Sequence, residues 1–355
     1  MRAVALGLTD VGLQREHNED SFIVLKEFDL FVVADGMGGH RAGDVASKLA
    51  TEAITEFFRS TANEDVTWPF HFDTALSEEE NRLLTGIRVA NRQIFDRSSR
   101  SREYHGMGTT VVGAMFSPKK GRMYIGHVGD SRCYRVRQGE ITLLTRDHSL
   151  FNDYLLAMPD LTEEQRRELP KNVITRALGM QDQVMVDLQF DASKHGDVYV
   201  LCSDGLSGML EDDEIRAIVG GSPDLAVVCK KLIDGANAHG GEDNITAVVV
   251  RIEDPDVERD TPMPDSVARA PTEMPPADGA AMNPVITTLR MSDPAFAEEA
   301  TSPALDVRKE LAALHAERVS REIGDEPTLP AVDLRKELEA IKKPKDPPKD
   351  PQKDP

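Results

Sequence analysis

Four aspartates stand at the ends of apolar runs, where side chains from different strands can meet. Each run is rich in Val, Ile, Leu or Tyr and predicts a buried β-strand; the acids are Asp35, Asp130, Asp204 and Asp243. A single Asp beside a Gly would more simply be a turn. Four of them that converge would repel each other, so the pattern predicts a cation between them. Oxygen ligands without Cys or His at metal spacing favour Mg²⁺ or Mn²⁺ over Ca²⁺, and disfavour zinc.

A cation and two more acids lie close together near the N-terminus. Arg15 is followed by Glu19 and Asp20. The planar guanidinium of an arginine can hold two phosphate oxygens while metal ions hold others. The simpler alternative is an exposed ion pair between Arg15 and Glu19 at i, i+4, which would stabilise little. The first reading predicts a phosphate-binding residue beside the acidic cluster.

A glycine-rich loop follows Asp35 and leads into a predicted helix. It has no Gly-Lys-Ser/Thr for a Walker loop, and it does not fit the dinucleotide-binding fingerprint. Its glycines would let the backbone approach a metal ion closely, which makes the Gly36 carbonyl a candidate ligand.

The elements that must position these groups alternate between short strands and helices. Clustered strands and the Gln138-Gly139 turn favour antiparallel sheets covered by helices over a doubly wound parallel sheet. A Ser77–Glu80 capping box predicts the start of one helix, and Ser222 before Pro223 predicts the start of another. The predicted helices are about 43–58, 77–96 and 223–237, and the predicted strands are 30–34, 109–115, 123–127, 133–136, 141–144, 198–202 and 245–252.

Charge and cysteine usage exclude several classes of protein. The 355 residues hold 42 Lys plus Arg against 62 Asp plus Glu, a net charge of −20, which argues against nucleic acid and anionic membranes as partners. The apolar runs are too short to span a bilayer, and no signal peptide is visible. Three widely spaced cysteines in apolar surroundings, Cys133, Cys202 and Cys229, predict reduced thiols and a cytoplasmic protein.

The last hundred residues have a different composition. Of 21 prolines, 16 follow residue 253, which predicts a domain over 1–252 and a largely disordered Pro-rich tail over 253–355. Residues 305–311 recur at 332–338 with five identities, and both copies continue with helical spacing over 305–314 and 332–341. These repeats predict short helices that dock on a partner protein. A duplication without a docking role is the alternative.

Seven motifs taken together resemble the metal-dependent protein phosphatases, the type 2C serine/threonine class, in its bacterial form. They span about residues 1–252, and they are Arg15-x-x-Asn18-Glu19-Asp20, Val32-Val33-Ala34-Asp35-Gly36-Met37-Gly38-Gly39, Gly108-Thr109-Thr110, Gly129-Asp130-Ser131-Arg132, Asp147-His148-Ser149, Ser203-Asp204-Gly205-Leu206 and Asp243-Asn244-Ile245-Thr246. The resemblance implies an α+β fold, a four-layer α-β-β-α sandwich of two antiparallel sheets flanked by helices.

The resemblance also assigns a role to each site residue. It implies two or three Mn²⁺ or Mg²⁺ ions that activate a bridging water for direct attack on the phosphorus. Arg15 would clamp the phosphate. The metal ligands would be Asp35, which bridges two ions, the Gly36 carbonyl, Asp204 and Asp243, with Glu19 and Asp20 acting through water and Asp130 holding a third ion.

The function implied is hydrolysis of phosphoserine and phosphothreonine in proteins that a bacterial Ser/Thr kinase has modified. The alternative is a catalytically silent relative that binds partners through its tail. Met37 stands where animal members have a histidine proposed to protonate the leaving group, so His40 or a water would take that role. Residues 149–172 correspond to the family's flap, where a capped short helix is predicted at Leu161–Gln165.

Overall fold

The computed structural model of the chain describes residues 1–38, 42–62, 69–70, 72–158, 160, 162, 165–166, 169 and 173–255. Within these residues the strands are β1 (Arg2–Asp10), β2 (Asp20–Leu25), β3 (Leu30–Met37), β4 (Gly108–Thr109), β5 (Val111–Ser117), β6 (Arg122–Val128), β7 (Arg132–Arg137), β8 (Glu140–Leu143), β9 (Asp187–Ala192), β10 (Val198–Cys202) and β11 (Ile245–Glu253). The helices are α1 (Ala42–Ser60), α2 (Glu78–Arg100), α3 (Leu150–Ala157), α4 (Asp204–Ser207), α5 (Asp212–Gly220) and α6 (Leu225–Ala238).

The strands form two antiparallel sheets. The first has the order β1-β11-β10-β7-β8, and the second has the order β2-β3-β5-β6-β9 with β4 paired to β3. The Gln138-Gly139 turn joins β7 to β8, and Arg137 pairs with Glu140 across it. Because all of the strand pairs are antiparallel, ends of consecutive strands meet at one edge and can bring distant residues together.

The central strands β10 and β11 are apolar on both faces because both faces are covered. Val200 and Val249 pack against the buried side chains of α5 and α6. Their neighbours Leu201 and Val248 point the other way, into the core between the two sheets. Successive residues of a strand face opposite sides, so a strand buried on both sides reads as a continuous apolar run. This is the pattern that predicted both strands.

Helices α1 and α2 cover the outer face of the second sheet. Their buried sides include Ile54 and Phe57 on α1 and Leu83 and Ile87 on α2. With α5 and α6 on the first sheet, the layers are helix, sheet, sheet and helix. The predicted α-β-β-α sandwich is confirmed.

Edge strands are where the sequence prediction of the fold is incomplete. Strands β1, β2 and β9, which were not predicted, each lie at the edge of a sheet. Edge strands are half exposed, so they mix polar with apolar residues and lose the clear signal of a buried strand. The short helices α4 and α5 were also not predicted.

The two predicted helix starts have different outcomes. Ser77 and Glu80 form the predicted capping box of α2, in which each side chain accepts the other's backbone N–H. The prediction that Ser222 caps the last helix is wrong. The Asp224 side chain accepts the N–H of Ala226 at 2.8 Å, and α6 therefore begins at Leu225, after Pro223 rather than with it.

Several predictions concern the rest of the chain. All three cysteines are free and buried, as their apolar surroundings predicted. In the described part of the chain, no helix combines the length and apolarity that crossing a membrane requires. The tail from residue 256 onwards, with both repeats, lies outside the described residues, so the domain boundary at 252 stays a prediction; β11 ends at Glu253.

Truncating Leu83 to Ala tests the packing of α2 on the second sheet. The side chain is fully buried, so we expect Leu83→Ala to lower the free energy of unfolding by about 2–5 kcal/mol through lost burial and the cavity left behind. Urea denaturation followed by circular dichroism measures this. Ser99→Ala, at an exposed position of the same helix, should change stability by less than about 0.5 kcal/mol. Equal stability of both variants would contradict the packing.

Candidate metal and phosphate site

The acidic residues meet where corresponding ends of the two sheets come together. Asp20 lies opposite Asp35 in the β2–β3 pairing of the second sheet. Asp204 lies two residues after β10 and Asp243 lies two residues before β11, and these neighbouring strands run antiparallel. A hydrogen bond joins the sheets, because the Ser203 hydroxyl donates to Asp20 Oδ2 at 2.7 Å. Residues far apart in sequence therefore share one site.

The carboxylate of Asp20 is held by a directed chain of hydrogen bonds. Asn18 Nδ2 donates to Thr9 Oγ1 at 2.8 Å, and the hydroxyls of Thr9 and Thr246 lie 2.7 Å apart. Thr246 donates its only hydroxyl proton to Asp20 Oδ2 at 2.6 Å, so Thr9 must donate to Thr246. With Ser203, this chain directs two donors at one oxygen of Asp20.

Burial and mutual repulsion raise the pKa of several of these carboxyls. Burial raises the pKa of Asp20 to about 7, against the opposing hydrogen bonds from Thr246 and Ser203. Burial and the charge of Asp204 raise the pKa of Asp130 to about 7. Burial, followed by the charges of Asp20 and Asp204, raises the pKa of Asp35 well above its ordinary value. The predicted convergence of acids from both sheets is present.

Three carboxylate oxygens of the cluster are buried without a hydrogen-bond partner: Asp20 Oδ1, Asp130 Oδ1 and Asp204 Oδ1. A buried acceptor that lacks a donor is costly, and a buried carboxylate costs more. A hard divalent cation satisfies several such oxygens at once and removes their repulsion. The donor set present, made of carboxylates and backbone carbonyls, therefore fits Mg²⁺ or Mn²⁺.

Glu19 and Gly36 lie side by side at the edge of this cluster. The Gly36 N–H donates to the Glu19 carbonyl at 3.1 Å, and a Cβ at position 36 would stand 2.1 Å from the Gly43 carbonyl oxygen. Only glycine fits this approach. Partial burial raises the pKa of the Glu19 carboxyl; Arg15 opposes this and Asp243 adds to it.

Arg15 reaches the cluster from the exposed side. Its NH2 lies 2.7 Å from Asp243 Oδ2, and its Nε donates to the Glu242 carbonyl at 3.4 Å. Its ion-pair partner is thus Asp243, rather than Glu19 as the simpler reading of the sequence proposed. The side chain is 51% exposed, so the guanidinium stands at the rim, between the acids and solvent.

Asn244 is a positioning residue that the sequence did not single out by itself. Its Nδ2 donates to the carbonyls of Val11 and His17, each at 2.9 Å, and its Oδ1 accepts the Glu19 N–H at 2.7 Å. It thereby ties the loop that carries Arg15 to the start of β11. Its place directly after Asp243 was the available signal. Thr9, on an edge strand, had none.

Two other sequence predictions have partial outcomes. Met37 ends β3, while His40 lies outside the described residues. In the predicted flap, Ser149 caps α3, and Thr162 and Gln165 exchange the reciprocal hydrogen bonds of a cap. The remaining residues of the predicted short helix lie outside the described part of the chain.

Comparison with known proteins gives consistent similarities. Residues 14–239 match the family model described as "Protein phosphatase 2C". A protein of Streptococcus pyogenes named "Putative protein phosphatase 2C-type" is 39% identical over 254 residues, covering 70% of this chain and 98% of that protein.

Two solved structures share the fold. The serine/threonine phosphatase PstP/Ppp of Mycobacterium tuberculosis has a TM-score of 0.61 at 32% identity, covering 72% of this chain and 100% of that one. The catalytic domain of the serine/threonine phosphatase PstP, in complex with two manganese ions, has a TM-score of 0.60 at 32% identity, covering 71% and 99%.

Raised pKa values in the acidic cluster predict how stability depends on pH when metal ions are removed with EDTA. Asp20 and Asp130 have folded-state pKa values of about 7 against ordinary values of 3.8. The folded state therefore keeps protons that the unfolded state releases. The stability that these two protonated groups contribute is fully present below about pH 4 and is lost as the pH rises through about 7. Urea denaturation at about pH 5 and pH 8 should show the higher free energy of unfolding at pH 5.

Asp20→Asn supplies the comparison, because an amide cannot ionise. We expect this variant to show a smaller stability difference between the two pH values than the unmodified protein. Asp213→Asn, at an exposed position, is the control and should keep the full difference. An unchanged difference in Asp20→Asn would contradict the assignment of the pH dependence to the cluster.

Proposed function

Since the chain belongs to the protein phosphatase 2C family, and is thus a metal-dependent serine/threonine protein phosphatase, we propose that the acidic cluster between its sheets is the catalytic site. The observation that carries this proposal is the set of three buried carboxylate oxygens without donors, on Asp20, Asp130 and Asp204. They come from three separate motifs and are directed into one region. A structural role alone would leave all three unsatisfied.

We propose the following metal ligands. Asp35, the Gly36 carbonyl, Asp204 and Asp243 would hold two ions, with Asp35 shared between them. Glu19 and Asp20 would act through water, and Asp130 would hold a third ion. The pKa values of Asp20, Asp35, Asp130 and Asp204, raised by burial and by neighbouring carboxyls, support the assignment, as does the donor set that fits Mn²⁺ or Mg²⁺. The similar PstP structure, which holds two manganese ions, supports the choice of metal.

When bound, such ions lower the pKa of a coordinated water and neutralise charge on the phosphate. The residues of the chain itself do the positioning. Arg15 presents an exposed guanidinium at the rim, where its planar fork can hold two phosphate oxygens. Ser203 and Thr246 both donate to Asp20 Oδ2 and so leave Oδ1 directed into the site. Asn244 fixes the Arg15 loop relative to Asp243.

No protein nucleophile competes with water in the described part of the site. Cys202 faces the core under the helices, and burial raises the pKa of its thiol to about 12. A cysteine attacks phosphorus only as its thiolate, and a thiol with this pKa is not ionised near neutral pH. The Ser203 hydroxyl proton is engaged by Asp20. Direct attack by water on the phosphorus is the chemistry that remains.

The substrates of a serine/threonine protein phosphatase are phosphoproteins. We propose that this one acts on targets of a bacterial Ser/Thr kinase, in the cytoplasm, where its buried thiols stay reduced. A catalytically silent scaffold is the weaker candidate, because Arg15 and all the acids of the motifs are present.

Asp204→Asn tests the catalytic assignment. The substitution keeps the size of the side chain but removes the charge of one buried ligand, so hydrolysis of p-nitrophenyl phosphate with Mn²⁺ should fall by a factor of roughly 100 or more. Asp213→Asn, at an exposed position beyond the site, should keep full activity. Equal rates for Asp204→Asn and the unmodified protein, or no activity in either with metal present, would refute the proposal.

The tail repeats support a proposal of their own, that residues 305–314 and 332–341 dock on a partner protein. Deleting 303–355 should leave turnover of p-nitrophenyl phosphate unchanged, because all site residues precede the tail. It should reduce both the recovery of partner proteins and the turnover of phosphoprotein substrates. Replacing Leu311 and Leu338 with Asp in the full chain is the finer variant, since both lie on the apolar stripes. Unchanged partner recovery would rule out docking.

A further inference from the structure

His148 connects three segments that are otherwise separate. Its backbone N–H donates to the Gly129 carbonyl at 3.0 Å, and its carbonyl accepts the Thr175 N–H at 2.9 Å. Its ring lies against His127, with centroids 4.7 Å apart and planes 14° from parallel. The side chain is 2% exposed. Because the ring is buried, the partner of each of its two nitrogens has to be identified.

The neighbours of the ring determine its tautomer. Nδ1 accepts the Gly129 N–H at 3.0 Å, so it carries no proton. The ring's N–H is therefore on Nε2, which faces Asp187 Oδ2 at 3.3 Å. Asp187 is held in turn by Arg176, whose NH1 lies 2.7 Å from Oδ1. Burial, then the neighbouring His127 and Arg176, lower the pKa of His148 to about 4, so the ring is neutral near pH 7.

A metal ion bound by the side chains around His148 is the alternative explanation of this geometry. His127, His148 and Asp187 each offer a ligand atom, and these atoms lie within 4.8 Å of one another. A metal on Nε2 of His148 would require the ring proton on Nδ1, where it would meet the Gly129 N–H. The Arg176 guanidinium nitrogen also stands 3.1 Å from Nε2 and would repel a cation. The hydrogen bonds therefore favour an ordered chain of contacts from Arg176 through Asp187 and His148 to Gly129, here called the relay, over a metal site.

The other end of this relay is the turn that carries Asp130. Gly129 has φ of +106°, and a Cβ there would lie 2.6 Å from Thr110 Cβ. His148 binds both the N–H and the carbonyl of Gly129, and so fixes the peptide planes on both sides of that residue. The next side chain is Asp130, whose Oδ1 is buried without a partner. The orientation of the turn determines where that oxygen points.

His148 also lies at the base of the predicted flap. Ser149, the next residue, caps α3 and pairs with Ile174 across the base. The Leu150 N–H donates to the Val173 carbonyl at 2.8 Å, next to the Thr175–His148 bond. The two ends of the segment 150–173 therefore converge on the residue that holds Gly129.

We propose that His148, with its proton held on Nε2 beside Asp187, is a positioning residue that holds the Gly129–Asp130 turn where Asp130 reaches the metal site, and that it ties this turn to the base of the flap. The metal-binding role of Asp130 rests on the proposed function. The hydrogen-bond relay from Arg176 to Gly129 stands independently of it.

Two substitutions at His148 separate positioning from simple packing. In His148→Asn, the side-chain oxygen stands close to the place of Nδ1 and can still accept the Gly129 N–H. In His148→Leu, no acceptor remains. We expect His148→Leu to weaken binding of the weakest Mn²⁺ at least tenfold and to speed hydrogen exchange at Gly129, with the tighter ions unchanged. His148→Asn should stay within roughly threefold of the unmodified protein. His105→Leu, at an exposed position, is the control.

Nuclear magnetic resonance of the ¹⁵N-labelled ring reads the relay directly, without metal ions or activity. The unmodified protein should show the proton on Nε2. Asp187→Asn replaces the charged group beside Nε2 with a neutral amide while Nδ1 still accepts the Gly129 N–H, so the proton should stay on Nε2 and the Nε2 resonance should shift. This variant keeps the proposal testable even where His148→Leu does not fold.

The possible results are distinct. A proton on Nδ1 in the unmodified protein, or signals of a metal-bound ring, would overturn the relay. Equal loss of the weakest ion in the Leu and Asn variants, or loss in neither, would overturn the positioning role while the proposed function stands. If the unmodified protein binds no Mn²⁺ at the acidic cluster but the tautomer and the exchange effects are as expected, the proposed function fails and the relay remains.

Discussion

Repulsion among buried carboxylates is the interaction on which the structure depends. Burial, and then the charge of neighbouring carboxyls, raises the pKa of Asp20, Asp35 and Asp130. Such an arrangement survives only because much larger apolar surfaces hold the strands on both sides of it. The sandwich concentrates its burial in three cores, one beneath each helical layer and one between the sheets, and it places the charges at the ends of the strands.

Hydroxyl and amide side chains support the acids. The chain from Asn18 through Thr9 and Thr246 to Asp20 crosses from one sheet to the other, and every bond in it has one direction. Asn244 holds the Arg15 loop in place through three hydrogen bonds to backbone groups. Hydrogen-bond networks of this kind hold side chains rigidly in a low-dielectric interior. The charges are thus fixed in place by neutral neighbours.

Neutral groups also hold a charged group in place at the Asp130 turn. Arg176 and Asp187 form an ion pair that faces Nε2 of His148, and Nδ1 of the ring accepts the Gly129 N–H. The ring that contacts Gly129 is neutral near pH 7, and it fixes the backbone from which Asp130 projects.

The sequence alone determined the central strands, the two long helices and the acids at strand ends, because each of these is a local pattern. A strand covered on both faces must be apolar throughout, as in β10 and β11, and an acid after it needs a partner. Edge strands such as β1 carry no such pattern, since half of each strand faces solvent or a loop.

Only the tertiary structure decided which distant groups meet. It paired Arg15 with Asp243 rather than with its sequence neighbour Glu19, and it brought Thr9 beneath Asp20. It also placed the proton of His148 on Nε2, because Nδ1 accepts the Gly129 N–H and Nε2 faces Asp187. Hydrogen-bond direction depends on atoms from several strands at once, and no pattern along one segment carries that information.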